Sequence, residues 1–400
     1  METQSCLRII VTGLAATFPF GGVFWDYLQY VLGFIQLGHD VMYLEDTGKW
    51  CYHPELQTFV ESGAHNASYL ARELSQLSPQ LNDRWFFRDA TGACWGCSWE
   101  KVVDFCRSAD LFVHISGSCN MRDEYFAPAR VAFIDSDPLY TQAPVPDYLA
   151  GRTSDEIQLK SMQMLLKHDR FFTFAENIAN SDCRVPRQLF DWMPTRQPIV
   201  IDQFARPEFQ VDPSVRRRVL TTVMSWEPRE HGPTVEGVTY TGKSGEFPRF
   251  VDLPARVALP LEIAISGRPP REALVAAGWR LIDGYLVSRD PWLYRHYLAN
   301  SFAEWSVAKN AYVRSRSGWF SCRSACYLAL GVPAVVQDTG FACVLPTGEG
   351  ILKFSTIEEA VSAIEAIVAN PQRHARAARD IVNEYFDSNK VLQRLLIQAA

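Results

Sequence analysis

The sequence predicts an α/β protein of two Rossmann-like domains facing a cleft, and three observations carry that expectation. Apolar strand-like runs alternate with helical patterns from Leu7 onward, the rhythm of a parallel sheet with crossover helices. The alternation halts in a stretch dense in proline and charge between Pro194 and Pro213, then starts afresh near Leu220. A chain of 400 residues is too long for one typical core and suits two of about 200 residues. The expected division is residues 1–210, 211–380 and a terminal helix over 381–400.

In the first domain, Leu7–Thr12 reads as a buried strand, Gly13–Gly22 as a loop and Val23–Leu37 as a helix closed by Gly38. Val41–Asp46 completes a βαβ unit, whose crossover should be right-handed. Gly21-Gly22 sits at the helix start, and without Cβ atoms it lets the backbone approach a phosphate or sugar closely. It is not the GxGxxG pattern of dinucleotide oxidoreductases. Between residues 51 and 108 short helical patterns alternate with polar turns, and Trp85-Phe86-Phe87 and Trp95 suit either a core or a cleft wall. Asp110–Gly117 and Arg130–Asp137 read as consecutive strands ending in small or acidic residues at the C-terminal sheet edge. Asp135 and Asp137 therefore point to the cleft, where a carboxylate can serve as general base, although Asp137-Pro138 also opens an ordinary turn. Asp26, Glu45, Asp46 and Glu176 are the other acids within reach of that role. Phe171–Phe174 is a further strand, and a helix is expected over Val185–Trp192.

In the second domain, Arg218–Met224 restarts a buried strand. Tyr240–Phe247 contains Gly242-Lys243-Ser244 without the spacing of a P-loop, so Lys243 is a candidate cation for a diphosphate and no more than that. Arg271–Ala277 and Asp290–Asn300 read as helices and Trp279–Ile282 as a strand. Ala311-Tyr312-Val313 suggests a short buried strand. A loop with Gly318 follows, then a helix from Ser321 to Leu330 stopped by Gly331, then a strand over Pro333–Gln337. The start of that helix has the physics of an anion site, because the first-turn N–H groups lack partners and the macrodipole is positive there. Ser321, Arg323 and Ser324 would add donors. Asp338-Thr339-Gly340 and Gly348-Glu349-Gly350 are expected at the same sheet edge, where open α/β sheets bind ligands. Two helices, Thr356–Ala369 and Gln372–Gln398, end the chain.

Ser321–Gly340, with Gly348-Glu349-Gly350 and the helix Thr356–Ala369, resembles the donor half of GT-B glycosyltransferases. Ser301–Lys309 and Ser317–Ser321 resemble a group of bacterial family-1-type glycosyltransferase-like proteins. The resemblance implies a nucleotide-sugar donor with its pyrophosphate on the Ser321 helix start, Gly21-Gly22 facing it, and a terminal helix crossing back onto the first domain. It implies metal-independent sugar transfer to an acceptor held by the first domain. A nucleotide-sugar epimerase of the same fold and an inactive nucleotide-sugar-binding protein are the alternatives. Two departures leave the stereochemistry open. Cys326 stands where many retaining members carry a second glutamate, and no histidine lies between Thr12 and Trp25.

A net charge of −6 with no long basic run argues against a nucleic-acid partner. Ten scattered cysteines suit a reducing compartment, and the lone Cys94-Trp95-Gly96-Cys97 lacks a second ligand pair for zinc. No metal and no cofactor is expected. The N-terminal apolar run reads as a strand rather than a signal peptide, and no run reaches membrane-spanning length, so the cytoplasm is the expected location.

Overall fold

The structure, a computed structural model, describes residues 6–226 and 232–400. Two separate sheets organise it. The first has eight strands in the order Trp192–Pro194, Arg170–Thr173, Arg130–Asp135, Leu111–Ile115, Arg8–Thr12, Asp40–Asp46, Trp85–Arg88 and Cys94–Gly96. All pair in parallel except the last. The second has six parallel strands in the order Arg280–Asp283, Leu261–Gly267, Arg217–Trp226, Ser301–Ser306, Ala334–Gln337 and Ile351–Phe354. Their central strands are runs of Ile, Val, Leu and Phe buried on both faces, which is what helices covering both sides of a parallel sheet require. Ile9, Ile10 and Val11 are fully buried, as are Ile263, Ala264 and Ile265.

Helices seam the two sheets together. Gly21–Gln36 of the first half packs on Pro291–Ala299 of the second and on the terminal helix Ser388–Ala399. At Gly21 an added Cβ would lie 2.5 Å from the Tyr294 Cβ and 2.6 Å from the Asp290 carbonyl, and at Gly33 it would lie 2.5 Å from a Leu392 methyl. Glycine is therefore needed at both for helix-to-helix approach. The Trp25 indole donates to the Pro291 carbonyl at 3.0 Å. Arg295, fully buried, spreads its guanidinium between Trp25 at 4.5 Å, Trp292 at 4.2 Å and Phe209 at 4.1 Å from the ring centroids. One apolar cluster thus runs from Ile9 and Trp25 through Leu298 and Leu328 to Leu392.

Three local expectations are corrected. Ala311–Val313 is not a strand but part of the helix Asn310–Ser315; Ala311, Tyr312 and Ser315 are buried while Arg314 is exposed, a helical spacing that three residues are too few to reveal. Val185–Trp192 forms no helix: Pro186 removes a donor, Leu189 has φ 75°, and Trp192 joins the sheet edge. The expected Gln372–Gln398 helix is two, Pro371–Ile381 and Ser388–Ala399, separated by a wide turn over Val382–Phe386 and by extended Asp387. That break lets Ile199 bond both sides of it, its N–H to Phe386 O at 2.7 Å and its carbonyl to Ser388 N at 2.9 Å.

Candidate active site

The chain between the strand Ser301–Ser306 and the helix Cys322–Ala329 builds one wall of the site. Arg316, at φ 50°, and Gly318, at φ 82°, turn it sharply. Gly318 packs on the first domain, where an added Cβ would lie 2.4 Å from Asn177 N. Asn177 N–H in turn donates to Ser317 O at 3.0 Å, and its side chain to Arg316 O at 2.8 Å. Ser321 then takes the cap position with its side chain making no capping bond. Its hydroxyl and the first-turn N–H groups are left to the cavity in front of them, a natural place for negative charge.

That cavity, about 600 Å³, lies between the two domains. Its wall comes largely from residues at or just beyond C-terminal strand ends, Ser136 and Asp137 of the first sheet and Ser225, Gly267, Asp283 and Lys309 of the second, together with Phe20 before the helix Gly21–Gln36 and Tyr52 of the short strand Cys51–His53. Of the residues singled out in the sequence, Gly22, Asp26, Asp137, Lys243, Ser321 and Arg323 line it. Arg323 is held inward. Its Nε donates to buried Glu304 at 2.7 Å, and its other nitrogens donate to Val223 O at 2.9 Å and to Ser306 Oγ. Asp137 accepts from Lys309 Nζ at 2.8 Å and from the Tyr312 hydroxyl.

The remaining candidates sit elsewhere. Glu349 is a correction: Gly348–Gly350 precedes the strand Ile351–Phe354, which runs parallel to Ala334–Gln337, so it lies at the opposite sheet edge from Asp338. There Glu349 pairs with Arg373 and Gly350 packs on Ala378. Asp338, Thr339 and Gly340 occupy the cleft edge but brace the loop beside it: Thr339 O accepts from Gly318 N–H at 2.8 Å, the Thr339 hydroxyl donates to Trp319 O at 2.6 Å, and Asp338 pairs with Lys353 at 3.0 Å. Ser324 is fully buried behind the wall, and Gly21 is spent on Tyr294. Asp135 does not reach the cavity. It is 1% exposed and accepts from Thr141 at 2.8 Å, Gln142 at 2.7 Å and Thr173 at 2.7 Å. Burial pushes its carboxyl up to about 6 despite these donors.

Beside Asp137 the cavity also contains Asp26, on the helix Gly21–Gln36 opposite the Ser321 turn. Burial raises its carboxyl to about 7, with Asp137 adding to the rise while Arg323 and the Cys322 thiol oppose it. A carboxylate poised there exchanges protons at neutral pH. The structure also adds Arg271, Lys309, Asp283 and Tyr285 to the wall. No carboxylate among the described residues pairs with Arg271, and Asp283 spends one oxygen capping Tyr285 N at 3.0 Å. The sequence signal for these four was only their place just after strands.

No protein-family profile matches the chain, and no curated protein matches it in sequence. Solved structures do match in fold. An α-glucosyltransferase in complex with UDP and a 13-mer DNA is similar over 98% of this chain and 100% of its own, at 12% identity and a TM-score of 0.59. AviGT4, a glycosyltransferase of avilamycin A biosynthesis, is similar over 98% and 97%, at 12% identity and 0.51. Sucrose-phosphate synthase from Thermosynechococcus elongatus is similar over 93% and 92%, at 14% identity and 0.50. The chain has the GT-B fold of these glycosyltransferases. Among the described residues no helix is long and apolar enough to cross a membrane.

Proposed function

We propose that the protein transfers a sugar from a nucleoside-diphosphate sugar, bound to the second domain, to a hydroxyl of an acceptor carried by the first. One observation supports this above the others: the interdomain cavity sets an uncapped helix start and the cations Lys243, Lys309 and Arg271 opposite Asp26, an acid whose carboxyl burial raises to about 7. The diphosphate takes the helix start and the lysine side, where fixed N–H groups and flexible ammonium groups answer two negative charges. The sugar's anomeric carbon then lies toward Gly22 and Asp26. In the transfer step the acceptor oxygen bonds to that carbon as its bond to the diphosphate oxygen breaks. Asp26 takes the acceptor's proton, and the departing diphosphate keeps the electron pair and is stabilised by the cations. No divalent metal is invoked, because protein cations supply the charge.

Asp26 favours transfer over mere binding, since a carboxylate held near neutrality is unnecessary for retaining a donor. The acceptor is taken to be a small hydroxyl-bearing molecule rather than DNA, in keeping with the net charge of −6. Structurally similar α-glucosyltransferases carry UDP or UDP-glucose together with DNA, so UDP is the first nucleotide to titrate and duplex DNA the control. Calorimetric titration with UDP and other nucleoside diphosphates, followed by mass spectrometry for donor consumption across a panel of nucleotide sugars, tests the proposal. Failure of every nucleoside diphosphate to bind would sink it.

A further inference from the structure

We infer that the first domain's hairpin over residues 51–60 forms an acceptor subsite for a neutral molecule with a flat apolar body bearing a hydroxyl, an inference that rests on the transferase reading above. Cys51–His53 and Thr58–Val60 pair antiparallel, with Tyr52 opposite Phe59. The hairpin is fastened to the loop before Gly21: Tyr52 N–H donates to Thr17 O at 2.9 Å, and one Asn66 amide donates both to Ala16 O at 2.8 Å and to Tyr52 O at 2.9 Å. It is a rigid platform built on the loop that faces the cavity.

Its side chains make a continuous aromatic path from the cavity to solvent. Phe20 and Tyr52 line the cavity and lie 5.2 Å apart between centroids; Tyr52 meets Phe59 at 5.4 Å, and Phe59 meets Phe18 at 6.1 Å. Phe59 at the outer end is 49% exposed, and Leu56 in the hairpin's turn and Trp50 just before its first strand are 63% and 52% exposed. Isolated exposed apolar residues need no explanation, but a cluster contiguous with a cavity wall marks a binding surface. Charge decides the occupant. Residues 49–61 hold one lysine against two glutamates, which does not suit phosphates, whereas ring faces suit a flat apolar group. The path belongs to the first domain, while the helix start, Lys243 and Arg271 belong to the second. An apolar ligand on these rings is therefore held by the first domain and not by the residues proposed to hold the diphosphate.

The test uses the full chain and 2-naphthol, a flat alcohol, with glucose as the polar control. Calorimetry should show 2-naphthol binding to the parent, glucose not binding, and a Leu56→Ser/Phe59→Ser variant binding 2-naphthol about tenfold more weakly at unchanged UDP affinity. Both residues are exposed, and an unchanged melting temperature verifies that the variant folds. Absence of 2-naphthol binding to the parent, or equal binding by the variant, overturns the subsite. So does an equal loss of UDP affinity, which would assign the hairpin to the donor. Loss by the variant of association with phosphatidylcholine vesicles or with duplex DNA, while 2-naphthol binding is retained, overturns it in favour of a membrane or nucleic acid. Should UDP fail to bind the parent, the transferase reading falls, and the 2-naphthol result still reports on the apolar site by itself.

Discussion

The Asp137 carboxylate accepts from Lys309 Nζ at 2.8 Å, joining the end of a strand in one domain to the loop after a strand in the other. The contact crosses the wall of the cavity proposed to hold the donor, so Asp137 answers a cation that a bound diphosphate would also seek. Its geometry is that of a tie between domains, which is why the proposed proton acceptor is Asp26.

Asp137→Asn keeps the shape of the tie and removes its charge. UDP affinity should stay level or rise severalfold, because Lys309 is relieved of a competing anion, and transfer should fall by less than about tenfold. A hundredfold loss of transfer at unchanged UDP affinity would instead make Asp137 the base.

Asp26→Asn should retain donor affinity and lose transfer by on the order of a hundredfold or more, the usual size of a general-base contribution. In the parent, a base with a carboxyl near 7 is inactive when protonated. The rate should therefore climb with pH up to about 7 and level off above it, and the variant should lack that limb. A parent profile flat between pH 5 and 8 would remove Asp26 from the chemistry.

Arg323→Ala should act on stability before affinity. It strands Glu304, which is fully buried and paired with Arg323 at 2.7 Å, and breaking such a pair costs about 3–5 kcal/mol. Urea denaturation measures the loss. Arg323→Ala/Glu304→Gln, which removes both charges, should recover part of it.

Lys243→Ala and Arg271→Ala leave the core untouched, since both sit on the cavity wall. Each should weaken UDP binding about tenfold or more, given roughly 1.5–3 kcal/mol for a charged hydrogen bond. If neither variant changes the calorimetric affinity, the diphosphate lies elsewhere.

His114 and His168 supply a prediction in pH. Their rings meet at 3.0 Å, His168 Nδ1 lies 3.1 Å from Met164 O, and Cys119 N–H donates to His114 Nε2 at 3.2 Å. These bonds fit two neutral rings, each donating from Nδ1. Burial lowers both, His168 to about 4 and His114 well below its ordinary value. The unfolded chain therefore binds more protons below about pH 6.5, and this stabilising contribution is complete above that pH and drains away toward pH 4. Buried Asp135 and Glu45, both raised, titrate in the opposite sense, so the comparison is with His168→Gln. The variant's stability should fall with acid less steeply, by up to about 1.4 kcal/mol per pH unit. Parallel curves would mean that His168 is charged in the fold.

Much of this architecture was legible because its signals are local. Parallel strands buried on both faces read as apolar runs, and Gly318 and Gly331 bracket the Cys322–Ala329 helix on either side. What escaped depends on partners far apart in sequence. Nothing in Asp338-Thr339-Gly340 tells whether the turn faces a ligand or Trp319. The place of Glu349 is not legible because a loop before a strand and a loop after one look alike until strand direction is known. Arg323 shows its commitment only when Ser301–Ser306 is paired with Ala334–Gln337, bringing Glu304 beneath it. Asp26 is the one charged residue in the helix Gly21–Gln36, a signal present in the sequence but weaker there than that of acids at strand ends.

The seam made by Trp25, Arg295 and Leu392 also governs how such a protein can be recombined. Each half seals its inner helices with the other's, so exchange at the Pro194–Pro213 connection would mate surfaces that were never shaped together. The Arg295 guanidinium would lose the indole it stacks on, and Gly33 would face a foreign terminal helix. A workable graft would carry Gly21–Gln36, Pro291–Ala299 and Ser388–Ala399 as one inseparable set, whatever sugar or acceptor the new parent uses.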